Sequence, residues 1–362
     1  LQDGLQAGYN NGFFLASADG GNLLKFSGMI KPRYVFNHQH SPPDNALNEA
    51  TDDTRGGFEL TGSRLGFSGH VIDPTWRYIL IAKVGSGGSI TLLDANVEKQ
   101  LPAGFAVAVG QFKAPLIIED VISETRQQFA DRSLVATALG GSYTQGLQVS
   151  WTRDPVRLYG AVTDGVRQIN SPWDAADGEY ALTGRAEFKL LGDWKQYAEF
   201  VSWRGDPKKL VLGAAAHYQE TESGTGAPEA ELFRWTADVL AGFGGWSVFA
   251  AVIGNHSEPS AGVTRDQLAA VAQAGVFLTE QVELIGRYEW GDSDIAGEAD
   301  LSVVTAGVNY FLKRHAAKFT LDVGYGLNAV APTWANTGVG WRADGEDDEG
   351  QVVVRSQFQL LF

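Results

Sequence analysis

The sequence predicts an all-β protein, a transmembrane antiparallel β-barrel of about sixteen strands with long loops at one end. Three observations carry that expectation. Apolar and polar residues alternate through segments of about ten residues, from one end of the chain to the other. Long and mostly short connections alternate between those segments, with a short exception near 85–88. The last segment ends on Phe362, so its edge has to pair with a neighbour, most simply the first strand of a closed barrel.

Composition narrows the alternatives. The 362 residues hold 28 Lys+Arg against 43 Asp+Glu, a net charge of −15 that argues against a nucleic-acid partner. The absence of Cys excludes a disulfide scaffold and a thiolate-ligated metal. Hydrophobic residues at 44% and aromatics at 11% exclude a disordered chain. A mean hydropathy of −0.13 looks soluble. A barrel hides from that average, because only every second residue faces lipid. No run reaches the roughly 18–20 apolar residues of a helical span. Leu1-Gln2-Asp3 lacks the basic flank and apolar core of a signal peptide, which reads as a processed or truncated form.

The predicted strands lie near 23–37, 57–72, 76–85, 88–98, 103–113, 139–152, 155–163, 180–190, 209–219, 232–242, 246–255, 268–278, 281–290, 302–312, 317–327 and 352–362. In 352–362 one face carries Val352, Val354, Phe358 and Leu360, the other Arg355, Gln357 and Gln359. In 76–84 Trp76, Tyr78, Leu80, Ala82 and Val84 oppose Arg77 and Lys83. The 57–72 segment breaks phase near Gly62, as a bulge does. Residues 1–22 lead into a single barrel domain, 23–362. Within it, 114–138 is the expected constriction loop and 191–208 a long turn at the periplasmic end. A soluble β-sandwich also has many strands, but it buries one face in a dry core.

Gly110-Gln111-Phe112-Lys113-Ala114-Pro115 ends one strand and enters the third long loop. With Gly12-Phe13-Phe14-Leu15, Leu24-Lys25-Phe26-Ser27-Gly28, Arg64-Leu65-Gly66-Phe67-Ser68-Gly69, Asp131-Arg132-Ser133-Leu134 and Leu212 to Gln219, in that order, it resembles the phosphate-selective porin O and P family of outer-membrane channels. The resemblance implies a sixteen-stranded barrel, a homotrimer, and a third loop folded into the pore, with Arg64 and Lys113 at motif positions. The family's full ladder of pore arginines is not identifiable in this chain.

The charge pattern supplies the candidate site. Lys25, Lys31, Arg33, Arg64, Arg77 and Lys83 fall on predicted inward faces of the first strands, in excess over nearby acids; Lys113, at the loop entrance, belongs to 103–113, which like 246–255 has an ambiguous face. The loop adds Glu119, Asp120, Glu124, Arg126 and Arg132. A basic lining with low-dielectric walls favours anions. For Arg185–Glu187–Lys189 and Glu283–Arg287–Glu289 the favoured reading is bracing of the wall by cross-strand pairs.

Expected partners are outer-membrane lipid and small hydrophilic solutes or anions, at the outer membrane of a Gram-negative-type bacterium. No cofactor is expected, and no enzymatic motif of the serine-hydrolase, phosphate-loop or zinc-protease kind appears. His38-Gln39-His40 and the acids Asp344 to Glu349 are weak metal candidates, read as solvated loop. Trp76, Trp151, Trp235, Trp246, Trp290, Phe358 and Phe362 suit interfacial girdles. The competing function is an outer-surface adhesion barrel, its lumen plugged and its acidic loops binding a partner.

Overall fold

A computed structural model describes residues 4–10, 12–39, 54–85, 88–173, 177–222, 230–259, 262–344 and 350–362. The sixteen barrel strands are β1 (Leu23–Ile30, continued by Pro32–His38), β2 (Thr54–Leu60, continued by Arg64–His70), β3 (Trp76–Val84), β4 (Ile90–Gln100), β5 (Phe105–Lys113), β6 (Tyr143–Arg153), β7 (Val156–Thr163), β8 (Asp177–Leu191), β9 (Lys209–Glu222), β10 (Ala230–Gly242), β11 (Trp246–Pro259), β12 (Arg265–Phe277), β13 (Val282–Asp292), β14 (Leu301–Lys313), β15 (Ala317–Gly326) and β16 (Val352–Leu361). Each pairs antiparallel with the next, and β16 closes the barrel on β1 with Val352 opposite His38 and Leu361 opposite Met29. The Phe362 carbonyl accepts from Gly28 N–H at 2.8 Å, and its own N–H donates to the Gly28 carbonyl at 3.1 Å. Closure gives every strand a neighbour on both sides over at least part of its length, while among the described residues Thr54–Leu60 pairs only with Pro32–His38.

The period of two decides which face is wet. In β16, Val353, Arg355, Gln357 and Gln359 are buried inward, while Phe358 and Leu360 are exposed outward. In β10, Arg234, Thr236 and Asp238 point in, and Phe233 and Trp235 point out. Apolar side chains on the outside of a closed ring belong in hydrocarbon, because a membrane satisfies no backbone polar groups and the barrel satisfies its own. Trp76, Trp235, Trp246 and Phe358 are exposed on that surface. Trp151 and Phe362 are half-buried, the first donating to the Ala103 carbonyl at 3.2 Å.

The phase break expected near Gly62 is real. Residues 61–63 interrupt β2, and Gly62 sits at φ +62°, a left-handed conformation that glycine adopts without steric cost. Two details differ from expectation. Residues 4–22 carry a hairpin, Gln6–Tyr9 against Phe13–Ala16, whose second strand pairs Phe13–Ala16 with Leu23–Phe26. It fills the slot beside the lower half of β1, which runs past the end of β16. Strand β6 starts at Tyr143 rather than near 139, because Leu134–Leu139 forms a short buried helix. Ser133 caps that helix by accepting from Ala136 N–H at 2.9 Å.

Three apolar clusters join the long connections to the strands. Leu116, Ile117, Leu134, Val135 and Leu139 meet Val330, Trp334 and Trp341 from the last long connection, against inward Ile253, Val303 and Val353. Below them Ile118 and Ile122 meet Tyr197 and Phe200 from the 192–208 turn, against inward Val211, Leu240 and Phe249. A third cluster joins Val201 and Trp203 to Phe277 and Phe311. Burying each large apolar side chain is worth about 1.5–3 kcal/mol, so this packing fixes these segments against the strands.

Candidate functional site: the basic wall and its acidic loop

Odd-numbered residues of β1 point inward throughout, which places Lys25, Lys31 and Arg33 on the lumen face. Strand pairing then sets their neighbours. Arg33 lies opposite Glu59 and binds it; its guanidinium also engages Asp131 and donates to the Gly338 carbonyl at 2.6 Å. Arg64 lies opposite Lys83, two like charges side by side. Glu124 relieves part of that repulsion, one carboxylate oxygen meeting Lys31 and the other Arg64. Lys25, opposite Ser68, and Lys83 have no hydrogen-bond or ionic partner among the described residues. Arg77 stands 3.9 Å from Glu98 in an exposed pair of small energetic weight.

The connection 114–142 supplies the acids, and it touches inward side chains all round the barrel. Gln128 Nε2 donates to Ser247 of β11 at 2.9 Å and Glu283 of β13 at 2.6 Å. Ala130 N–H donates to Asp322 of β15 at 3.0 Å, and Lys318 Nζ to the Gln127 carbonyl at 2.6 Å. Gln359 of β16 donates to the Thr125 carbonyl at 3.0 Å. Arg355 lies opposite Asp322, donates to it at 2.7 Å, and stands 3.7 Å from Asp131.

The predicted site residues therefore separate into groups. Lys31, Arg64 and Glu124 meet in one cluster beside Arg33 and Asp131. Burial alone would raise the Glu124 carboxyl, but Lys31, then Arg64, outweigh it and hold it below the usual range. Asp131 is likewise lowered against burial, by Arg33, Lys31 and Arg355. Lys113 is taken up by the loop: its ammonium donates to the Asp120 carbonyl at 2.6 Å and lies 5.6 Å from the Tyr143 ring centre. Arg132 sits 3.6 Å from Asp120 and donates to the carbonyls of Glu119 and Ile122 at 2.9 and 3.0 Å. Glu119 is an internal tie, accepting from Ser133 N–H at 2.7 Å and Ser133 Oγ at 2.6 Å; burial raises its carboxyl.

Arg126 lies apart, half-exposed and 3.7 Å from Glu199 of the 192–208 turn. Glu199 also accepts from His315 Nε2 at 2.7 Å and Trp203 Nε1 at 3.2 Å. Burial pulls the His315 imidazole down to about 4. Sequence reasoning did not single out Glu199 and His315, because both lie in turns whose inward folding is tertiary. Glu59 was readable once β1 and β2 were aligned. The favoured bracing reading holds for Arg185, which binds Asp238 of β10 at 2.8 Å and Glu187 at 2.8 Å; Arg287 instead stands 2.9 Å from Glu289 of its own strand and donates to the Asp131 carbonyl of the long connection at 3.0 Å.

Two cavities flank the basic wall. The one nearer the short-turn end, about 490 Å³, is lined by Ser27, Arg64, Thr125, Arg126 and Trp203. The one nearer the long-loop end, about 450 Å³, is lined by Lys83, Glu124, Asp131, Arg132 and Arg167. No group of three potential metal ligands occurs among the described residues. His40, the loop acids Asp44, Glu49, Asp52 and Asp53, and Glu346 to Glu349 lie outside those residues.

A closed sixteen-strand barrel with a polar, charged bore is the architecture of known diffusion channels. The chain superposes on an anion-selective porin from Comamonas acidovorans with TM-score 0.65 and 14% identity, over 94% of this chain and 99% of that one. It superposes on Salmonella typhi OmpF, solved with daunomycin, with TM-score 0.62 and 14% identity, over 98% and 100%. The outer-membrane channel DcaP of Acinetobacter baumannii gives TM-score 0.61 and 11% identity, also over 98% and 100%. At such identities the likeness is one of fold. No curated protein matches the chain in sequence. Residues 42–222, half of its length, match the family described as phosphate-selective porin O and P. The chain belongs to that family of outer-membrane channels.

Proposed function

We propose that the channel passes small hydrophilic solutes passively with a mild preference for anions, phosphate among them, and that it works as a homotrimer in the outer membrane of a Gram-negative-type bacterium. One observation carries the anion preference. The β1–β3 wall brings Lys25, Lys31, Arg33, Arg64 and Lys83 to one side of the lumen, and two of these cations have no ionic partner among the described residues. Fixed cations in a narrow aqueous bore lower the barrier for anions and raise it for cations. The hydrogen bonds of 114–142 to strands around the whole ring support its reading as the constriction, with Lys113, Glu119, Asp120, Glu124, Arg126 and Arg132 in or beneath it. The trimer follows from the family resemblance.

A second reading has an observation of its own. The apolar clusters built on Leu116, Trp334 and Trp341 fill much of the lumen, as a plugged barrel with partner-binding loops requires. Planar-bilayer recording separates the two. In a KCl gradient the expected reversal potential lies towards that of chloride. Clear cation selectivity ends the anion reading, and a silent protein supports the plugged barrel.

A further inference from the structure

Glu124 occupies a position that a diffusing anion would take. Its two carboxylate oxygens are divided between Lys31 and Arg64, cations from adjacent strands. Arg64 lines the cavity on the short-turn side and Glu124 the cavity on the long-loop side, so the clamp stands where the two spaces meet. The backbone is shaped around it. At Gly62 a Cβ would fall 2.2 Å from Glu124 Oε1 and 3.0 Å from Lys31 Cε, and φ is +62°. The loop that carries Glu124 is fixed independently. Ser123 caps the turn through Thr125 N–H, and Gln359 holds the Thr125 carbonyl. The backbone that carries the carboxylate is therefore anchored by contacts other than the clamp itself.

We propose that Glu124 is a tethered counter-anion, a side chain resident in a small-carboxylate site formed by Lys31 and Arg64 that permeating carboxylates must displace. This rests on the channel reading above. The chemistry of the ligand is set by the group already there. Two cations spaced for the two oxygens of one carboxylate, with a glycine backbone behind, fit a small monocarboxylate whose apolar end trails into either cavity. Tethering gives the side chain a high effective concentration at the clamp, which weakens free anions by competition. It also explains why a basic wall need not bind anions tightly: one pair of its cations is already answered.

The test is to remove the tether and return the anion. Glu124→Ala deletes the equivalent of acetate, so the probe is potassium acetate added at constant potassium concentration in single-channel recordings. The expected result is a reversal potential in KCl moved further towards chloride, and block by acetate at a concentration about tenfold or more below that needed for the unmodified channel. The double variant Lys31→Gln, Glu124→Ala is expected to lose that block. Glu124→Gln, which keeps the side-chain volume, serves if the alanine variant does not assemble, and the same shift in reversal potential is expected of it. A conducting unmodified channel whose variants show the same reversal potential and the same acetate sensitivity overturns the tethered-anion assignment alone. Silence of every protein, the unmodified one included, overturns the channel reading and this inference with it.

Discussion

Arg355 and Asp322 illustrate how single residues are fixed in this bore. Both side chains are fully buried, they lie opposite each other on β16 and β15, and Asp322 also accepts from Ala130 of the long connection. A buried pair gains little over an apolar replacement, whereas removing one partner strands the other charge. Arg355→Leu is therefore expected to cost about 3–5 kcal/mol. Arg355→Leu combined with Asp322→Leu is expected to recover most of that loss, read from urea unfolding midpoints of the refolded protein. A single variant as stable as the parent would mean that water reaches Asp322.

At the scale of elements, the strands owe their stability to a ladder of backbone hydrogen bonds and to an outer face matched to lipid. Val252 sits midway along β11 (Trp246–Pro259), exposed outward, with its neighbour Ala251 buried inward. Val252→Arg is expected to destabilise the barrel by about 2–4 kcal/mol in lipid vesicles, the range for a cation at the bilayer midplane. An unchanged midpoint would place this face outside the hydrocarbon. The connections obey different physics. Segment 192–208 is long for a turn at that end, and its Tyr197, Phe200, Val201 and Trp203 are buried because they pack against inward apolar residues of β9–β12 and β14.

For the molecule as a whole, the connections pack together as much as the strands do. The connection 114–142, the turn 192–208 and the last long connection share three apolar clusters, and the two cavities remain along the β1–β3 wall. Deleting 118–134 removes Glu124, Asp131 and the Ile118–Ile122 contacts together. Single-channel conductance is expected to rise in that variant, and an unchanged conductance would put the loop away from the conduction path.

The sequence by itself determined the strands and most of their faces. Period two assigns side chains to lipid or lumen without any long-range information wherever the alternation is clean, so the sixteen segments, the phase break at Gly62 and the inward direction of Lys31, Arg33 and Arg64 were legible, while the faces of 103–113 and 246–255 were not. The N-terminal hairpin and the helix Leu134–Leu139 were not, since short apolar runs read alike as strand, helix or lead-in segment. Only the tertiary structure decided which charges meet. Glu124 is 93 residues from Lys31 and 60 from Arg64, and Asp131 is 98 from Arg33. Those encounters depend on where a long loop settles against the strands, and loop packing is set by the sum of many distant contacts rather than by any local period.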